Sequence, residues 1–323
     1  NKIIKFTNKN NKIYKKTKVI IIFDEMSGIN SLASSKKDGI EFVKLLKEFY
    51  KINDFRYYSN AKSISDNTVT SVSSILNFNK KNRLEVIESS PNYFFEYDLK
   101  KSLLFERYKD ISIFQTTHIN YCNLKNITKC DSYNPFDQNK FLKGYKDTIL
   151  TKIISIWKIN GSISSILTWR TLRQLRIIDS VLEPEGHKVT FQNFFDKIEK
   201  DISSNRYDLI FAHTLVPHKP YGFNKNCDYD GDLSLMNHYY SNKKHIIQHN
   251  TERKCVIVYL EKFLKKLSIN NIDLIILSDH GSRITKNSNS ALSSILAIKN
   301  NETDYKEIEE NVIIQELFLE LID

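Results

Sequence analysis

Val19-Ile20-Ile21-Ile22-Phe23 is an unbroken run of five apolar residues that passes directly into two acids, Asp24 and Glu25. A strand with one wet face alternates polar and apolar side chains. A run without alternation, rich in β-branched residues, is buried on both faces, which points to an inner strand of a parallel sheet covered by helices on each side. Carboxylates at the end of such a strand are costly unless a cation or hydrogen-bond donors receive them. Asp24, the first acid, is the better candidate ligand, and Glu25 either ligates as well or stands behind it. The competing reading makes Asp24 or Ser27 the cap of a following helix.

Two further runs end the same way. Leu209-Ile210-Phe211-Ala212 leads into His213, and His218 comes next in a loop interrupted by Pro217 and Pro220. Either histidine alone suits a structural role; together, after a buried strand, they read as donors to an anionic group. Ile272-Asp273-Leu274-Ile275-Ile276-Leu277 leads into Ser278-Asp279-His280-Gly281. Open α/β sheets carry their chemistry at the carboxyl ends of the strands. An Asp oxygen and a His nitrogen on adjacent residues can reach one zinc or manganese ion, and the glycine lets the chain turn away. By itself the tetrapeptide reads equally well as a helix cap beside a loop histidine.

The stretch from Ser65 to Leu76 crowds hydroxyl and amide side chains ahead of Val69, Val72, Ile75 and Leu76, which recur at helical spacing. A hydroxyl therefore lies near a helix N-terminus, where free amides and the positive dipole end would hold a phosphate or sulfate group. A cation touching the same Thr oxygen would lower its pKa enough for nucleophilic attack. Local chemistry alone makes the cluster a good cap.

In this order and at these separations, the four segments resemble the alkaline phosphatase superfamily, in particular its sulfatase-like branch of phosphoethanolamine transferases and lipoteichoic acid synthases. The resemblance runs from Ile20 to about Lys299. It implies a three-layer α/β/α sandwich with a largely parallel central sheet. It also implies one divalent metal ion, zinc or manganese, held by Asp24 or Glu25, Thr68, Asp279 and His280. Thr68 would be the nucleophile, chosen over Thr70 because Thr68-x-x-Ser71-Val72 is similar to the Thr-x-x-Ser-Val stretch of the transferases. His213 and His218 resemble the branch's His-x4-His segment: His218 would contact the phosphoryl group, and His213 would bind substrate or move a proton. No Cys/Ser-x-Pro-x-Arg sequence surrounds Thr68, which disfavours sulfate ester hydrolysis through formylglycine. No His comes after His280 either, so Arg283 or Lys286 would supply the positive charge that a second metal provides elsewhere.

The activity implied is transfer of phosphoethanolamine or phosphoglycerol from a phospholipid donor to a cell-surface glycan or lipid through a covalent Thr intermediate. The alternatives are a metal-dependent hydrolase of phosphate esters and a non-catalytic glycan-binding module. Residues 1–17 would be a basic juxtamembrane lead-in to a catalytic domain at 18–323. The chain would then be a monomer, anchored through a segment ahead of Asn1 on the periplasmic or extracellular face of a bacterial inner membrane.

With 323 residues, 8 Gly and 5 Pro, and no linker tract, one domain is expected. The net charge of +10 suits anionic partners, but basic residues are spread along the chain and no nucleic-acid module is recognisable. A spanning helix needs about 20 apolar residues, and no stretch supplies them. The segment 150–182, in which Trp157 and Trp169 are interleaved with Lys and Arg, suits either a bilayer interface or amphipathic helices packed on the domain. Four cysteines allow three pairings; the local one joins Cys122 to Cys130 and Cys227 to Cys255 and implies an oxidising compartment. His245 and His249 have i, i+4 spacing but read as a solvated helix, and His187 and His238 as loop residues. Expected strands are 18–23, 208–212, 273–277 and 291–298. Expected helices are 39–50, 68–76, 252–267 and 310–321, with substrate-specific loops over 84–150.

Overall fold

The computed structural model describes residues 16–31, 33–81, 83–90, 95–116, 118–133, 185–218, 221–228, 243–267, 272–285 and 288–322. Lys286, His238 and the segment 150–182 lie outside them, as does nearly all of the lead-in.

Chain order is β1 (Thr17–Phe23), α1 (Lys37–Ile52), β2 (Arg56–Lys62), α2 (Thr68–Leu76), α3 (Arg83–Val86), β3 (Ile87–Ser89) and β4 (Tyr97–Leu99). Next come β5 (Ile111–Thr116), β6 (Ile119–Asn120), β7 (Ile127–Tyr133), α4 (Glu185–Ser203), β8 (Leu209–Thr214), α5 (Lys243–Lys266) and β9 (Ile272–Ser278). The last elements are α6 (Ser288–Leu292), β10 (Leu296–Lys299), β11 (Lys306–Ile313) and α7 (Ile314–Ile322).

Eight strands form the main sheet in the order β11-β2-β10-β9-β1-β8-β5-β7. Only β10 runs against its neighbours; all other pairings are parallel. The unalternating run of β1 is therefore the centre of the sheet, flanked by β9 and β8. Its period of two sorts it between two layers. Val19, Ile21 and Phe23 pack with Phe42 and Leu46 of α1, Phe191 and Phe194 of α4, and Val256 and Leu260 of α5. Ile20 and Ile22 pack on the opposite face with Val72, Ile75 and Leu76 of α2 and with Ile314 and Phe318 of α7. This is a three-layer α/β/α sandwich. Each fully buried Ile or Leu of β1 and β9 contributes about 1.5–3 kcal/mol of burial free energy, which makes the centre of the sheet a rigid platform for the loops at its carboxyl edge.

Several local expectations change. Helix α5 begins nine residues earlier than 252, so His245 and His249 lie on it, both with zero exposure rather than solvated. Its polar first turns are buried because they meet polar loops: Arg253 donates to the Ser27 carbonyl (2.8 Å) and Ser34 Oγ (3.0 Å), and His249 Nε2 lies 3.2 Å from Ser27 Oγ. His187 is inside α4. The expected helix at 310–321 starts at Ile314; the charged stretch before it is β11, an edge strand on β2, where side chains can stay in water. The expected strand at 291–298 divides into the end of α6 and β10. Within 84–150, β5 and β7 extend the main sheet, and β3, β4 and β6 form a small separate one.

Both disulfides follow the local pairing, Cys122–Cys130 and Cys227–Cys255. Among the described residues, no helix is long and apolar enough to cross a membrane.

Candidate active site

Three chain segments meet at the carboxyl edge of the sheet's centre. Phe23 is level with Ser278 across the β1–β9 pair, so Asp24 and Asp279 leave the sheet side by side. Both continue the alternation that puts Ile22 and Leu277 on the α2 face. Asn67 caps α2 by accepting from the Thr70 amide (3.2 Å), which makes Thr68 the first helical residue and sets it over the two acids. Ser71, one turn on, donates to the Asp279 carbonyl, and Gln315 of α7 donates to Ser71 Oγ (2.8 Å). That network fixes α2 against the loop after β9 and gives Ser71 its reason.

Thr68 Oγ1 lies 3.3 Å from Asp24 Oδ1 and 3.2 Å from His280 Nε2. His280 Nε2 is in turn 3.4 Å from Asp279 Oδ2 and 3.7 Å from Asp24 Oδ1. On the far side of the ring, His280 Nδ1 is 2.7 Å from the Gly281 carbonyl. A carbonyl only accepts, so the imidazole proton sits on Nδ1 and the Nε2 lone pair faces the acids. The Thr hydroxyl then stands between two acceptors, Asp24 Oδ1 and His280 Nε2. Asp279 Oδ2 is buried without a hydrogen-bond partner, while Oδ1 accepts from the amides of Glu25 (3.1 Å) and His280 (2.7 Å).

Converging lone pairs of this kind need a cation. Asp24, Asp279 and His280 each offer a ligand atom within 4.8 Å of the others, and the mixed oxygen and nitrogen set fits zinc or manganese. Burial first, then the charges of Asp279 and Glu25, push the Asp24 carboxyl well above the ordinary carboxylate range, which is the cost of the site without a cation.

Glu25 does not join this cluster. Its backbone has φ 59°, and its side chain accepts from Arg283 Nε at 2.8 Å. Burial opposes its ionisation, but His218, His280 and Arg283 outweigh that and hold its carboxyl down at about 2. Arg283 Nη2 lies 3.5 Å from His218 Nε2, so the guanidinium stands next to the acids. His213, next to last in β8, lies on the α2 face. Its Nδ1 is 2.7 Å from the Tyr121 hydroxyl, and its Nε2 is buried with no partner. Burial keeps the Tyr121 phenol protonated, and that hydroxyl either donates to Nδ1 or accepts from it, while Nε2 stays without a partner. Burial also lowers the His213 pKa to about 4, despite the nearby Asp279.

No protein-family model matches the chain, and no curated protein matches it by sequence. Solved structures do. The phosphonate monoester hydrolase SpPMH from Silicibacter pomeroyi is 12% identical with a TM-score of 0.59, over 95% of this chain and 72% of that one. The phosphonate monoester hydrolase of Agrobacterium radiobacter is 10% identical with a TM-score of 0.56, over 94% and 72%. A Bacteroides thetaiotaomicron protein of glycosaminoglycan metabolism is 11% identical with a TM-score of 0.54, over 94% and 71%. The chain has the sulfatase-like fold of the alkaline phosphatases.

Within that fold, the structure brings together Asp24, Thr68, Asp279 and His280, and beside them Glu25, His213, His218 and Arg283. Thr70 turns away, its hydroxyl 3.4 Å from Arg83 Nη1. Sequence reasoning missed Tyr121, His118 and Arg253, which carry no motif and reach the site or its supporting loops only through tertiary packing. Gly281 has a steric reason. A Cβ there would lie 2.3 Å from the Ser293 carbonyl oxygen and 2.4 Å from that of Ser290. Gly281→Ala should therefore push the 279–282 loop off the β10 side, lowering stability by about 1–3 kcal/mol and weakening zinc binding; thermal melting and zinc titration measure both.

Proposed function

We propose that this protein is a divalent-metal-dependent phosphotransferase that moves phosphoethanolamine or phosphoglycerol from a phospholipid to a cell-surface glycan or lipid through a phospho-threonine at Thr68. The observation carrying this reading is the placement of Thr68 Oγ1 against both Asp24 Oδ1 (3.3 Å) and His280 Nε2 (3.2 Å) at the start of a helix. Asp24, Asp279 and His280 would hold the metal, and bound there it supplies Lewis-acid activation of the hydroxyl and charge neutralisation at phosphorus. Thr68 attacks the phosphorus of the donor, its proton passing toward Asp24. Arg283, anchored by Glu25, and His218 face the non-bridging oxygens, and His213 has an unpartnered Nε2 for the substrate. The donor's alcohol leaves. An acceptor hydroxyl then attacks the same phosphorus and Thr68 departs with its proton restored.

The Thr68-x-x-Ser71-Val72 pattern supports transfer over hydrolysis, and Ser71's bond to the Asp279 carbonyl supplies its structural sense. Hydrolysis of phosphate or phosphonate esters is the second reading, favoured by the phosphonate monoester hydrolases among the similar structures. The two disulfides support an oxidising, extracytoplasmic compartment.

The deciding experiment incubates zinc-loaded protein with vesicles of phosphatidylethanolamine or, separately, phosphatidylglycerol and records intact mass and peptide maps. A chelator-sensitive head-group adduct on Thr68 is expected with one lipid. No adduct with either, alongside chelator-sensitive cleavage of a soluble aryl ester, would replace transfer with hydrolysis.

A further inference from the structure

His118 belongs to none of the motifs, yet the fold carries it to the same edge of the sheet. Strand β5 runs parallel to β8 with Phe114 level with Ala212, so the turn after Thr116 leaves the sheet beside His213. The chain continues into β6 of the small sheet, and Tyr121 just beyond it holds His213. His118 Nδ1 lies 3.0 Å from Glu96 Oε2, the His118 carbonyl accepts from the Tyr97 amide at 3.2 Å, and the two rings meet edge to face at 5.6 Å. A carboxylate on Nδ1 fixes the ring, places its proton there and leaves Nε2 as the basic nitrogen. The parallel β5–β8 register sets this ring on the His213 side of the site, where it interacts with His218 and Asp279.

Moving a proton at neutral pH requires a group that can reach solvent and hold the charge for a moment. His213 is fully buried, has a phenol rather than a carboxylate partner, and is held neutral by burial. Burial lowers the His118 pKa too, against the pull of Glu96, but His118 keeps 24% of its side chain exposed and has a carboxylate partner to stabilise the cation.

We infer that His118, oriented by Glu96, rather than His213, is the proton-transfer residue of the second displacement. This rests on the phospho-Thr68 reading. As the acceptor oxygen bonds to phosphorus, its proton passes to His118 Nε2 and the phosphorus–Thr68 bond breaks, with Thr68 Oγ1 recovering the proton it had given up. The His118 imidazolium then returns its proton to the alkoxide leaving the next donor, or to water.

The test uses an activated donor, the 4-nitrophenyl phosphodiester of ethanolamine, whose phenolate leaves without a proton. Zinc-loaded wild type should give a stoichiometric burst of phenolate and a Thr68 adduct by rapid quench, followed by slower turnover to water. His118→Asn should keep the burst rate and lose turnover by about 10²-fold. Turnover should rise with pH as the imidazole becomes neutral. The titratable groups facing His118 are Glu96 from the segment before β4, His213 on β8, His218 in the loop after it and Asp279 after β9, with the Tyr97 ring alongside. Of these, Glu96 alone can be changed without touching the site, and Glu96→Gln should shift the rising limb to lower pH while keeping it.

Unchanged turnover in His118→Asn, or an equal fall in burst and turnover, would overturn the assignment, and so would an unshifted limb in Glu96→Gln. A wild type that forms no Thr68 adduct would instead remove the phospho-threonine reading, and the role of His118 with it.

Discussion

Thr68→Ala should abolish the covalent adduct and lower turnover by at least about 10³-fold, whereas Thr68→Ser should still form an adduct, on the serine hydroxyl, and remain within roughly tenfold of wild type. The asymmetry comes from the geometry. The hydroxyl is the group that faces Asp24 and His280, and the methyl group of Thr is not needed for attack. Folding should be little affected, because the α2 cap is the Asn67 side chain and Ala is a good residue for the first helical position. Rapid-quench mass spectrometry of both variants, with melting curves as the folding control, measures this. An Ala variant that still turns over, or an adduct that forms on another residue, would remove Thr68 as the nucleophile.

The second large effect is on stability. Zinc at about a hundredfold excess over its Kd should stabilise the protein by about 2.7 kcal/mol, or about 4 °C for a domain of this size. That gain should be larger at pH 8 than at pH 5. The sign comes from Asp24, whose folded pKa is raised above its unfolded value. A carboxyl of that kind costs stability once pH rises past the unfolded value, because the folded state must give up a proton it holds more tightly. The chelated protein therefore carries the penalty near neutrality, and the cation relieves it. At pH 5 protons do part of the same work. Glu25 does not confuse the comparison, since its depressed pKa means its contribution is complete above its ordinary value of about 4.5 and is lost only as pH falls toward 2. His213 and His249 are buried neutral, with pKa values lowered to about 4 and about 3 mainly by burial. Their contribution is lost below about pH 6.5 in loaded and chelated protein alike, so it cancels in the difference.

Asp279→Asn makes the complementary case. Asn can still accept from the Glu25 and His280 amides through Oδ1, and its Nδ2 would donate to the His280 Nε2 that faces it. The chelated variant should melt higher than chelated wild type while losing its response to zinc. Equal zinc responses in variant and wild type would take Asp279 out of the metal site.

The sheet's centre and the gathering of Asp24, Asp279 and His280 were legible because both are written in short segments. A run with no alternation can only be an inner strand, and the residues after it must emerge at the carboxyl edge. Asp24, His213 and Asp279 were therefore placed by counting from Phe23, Ala212 and Leu277. Thr68 came from capping chemistry together with a resemblance. The polar start of α5, the division between β11 and α7, and the strands β5 and β7 were not legible, since each depends on a partner far away in sequence. His245 and His249 read as solvated until Tyr221 and the Ser27 loop are known to cover them.

What the sequence determined by itself is thus which acids and histidines gather and the edge of the sheet on which they stand, because strand period and burial fix both locally. What only tertiary structure decided is how the charges around them divide. Glu25 turns from the metal cluster to Arg283 because a guanidinium lies 2.8 Å away, and His118 gains its Glu96 from a segment that no motif marks. Long-range electrostatic partners have no sequence period, and for that reason the fold had to supply them.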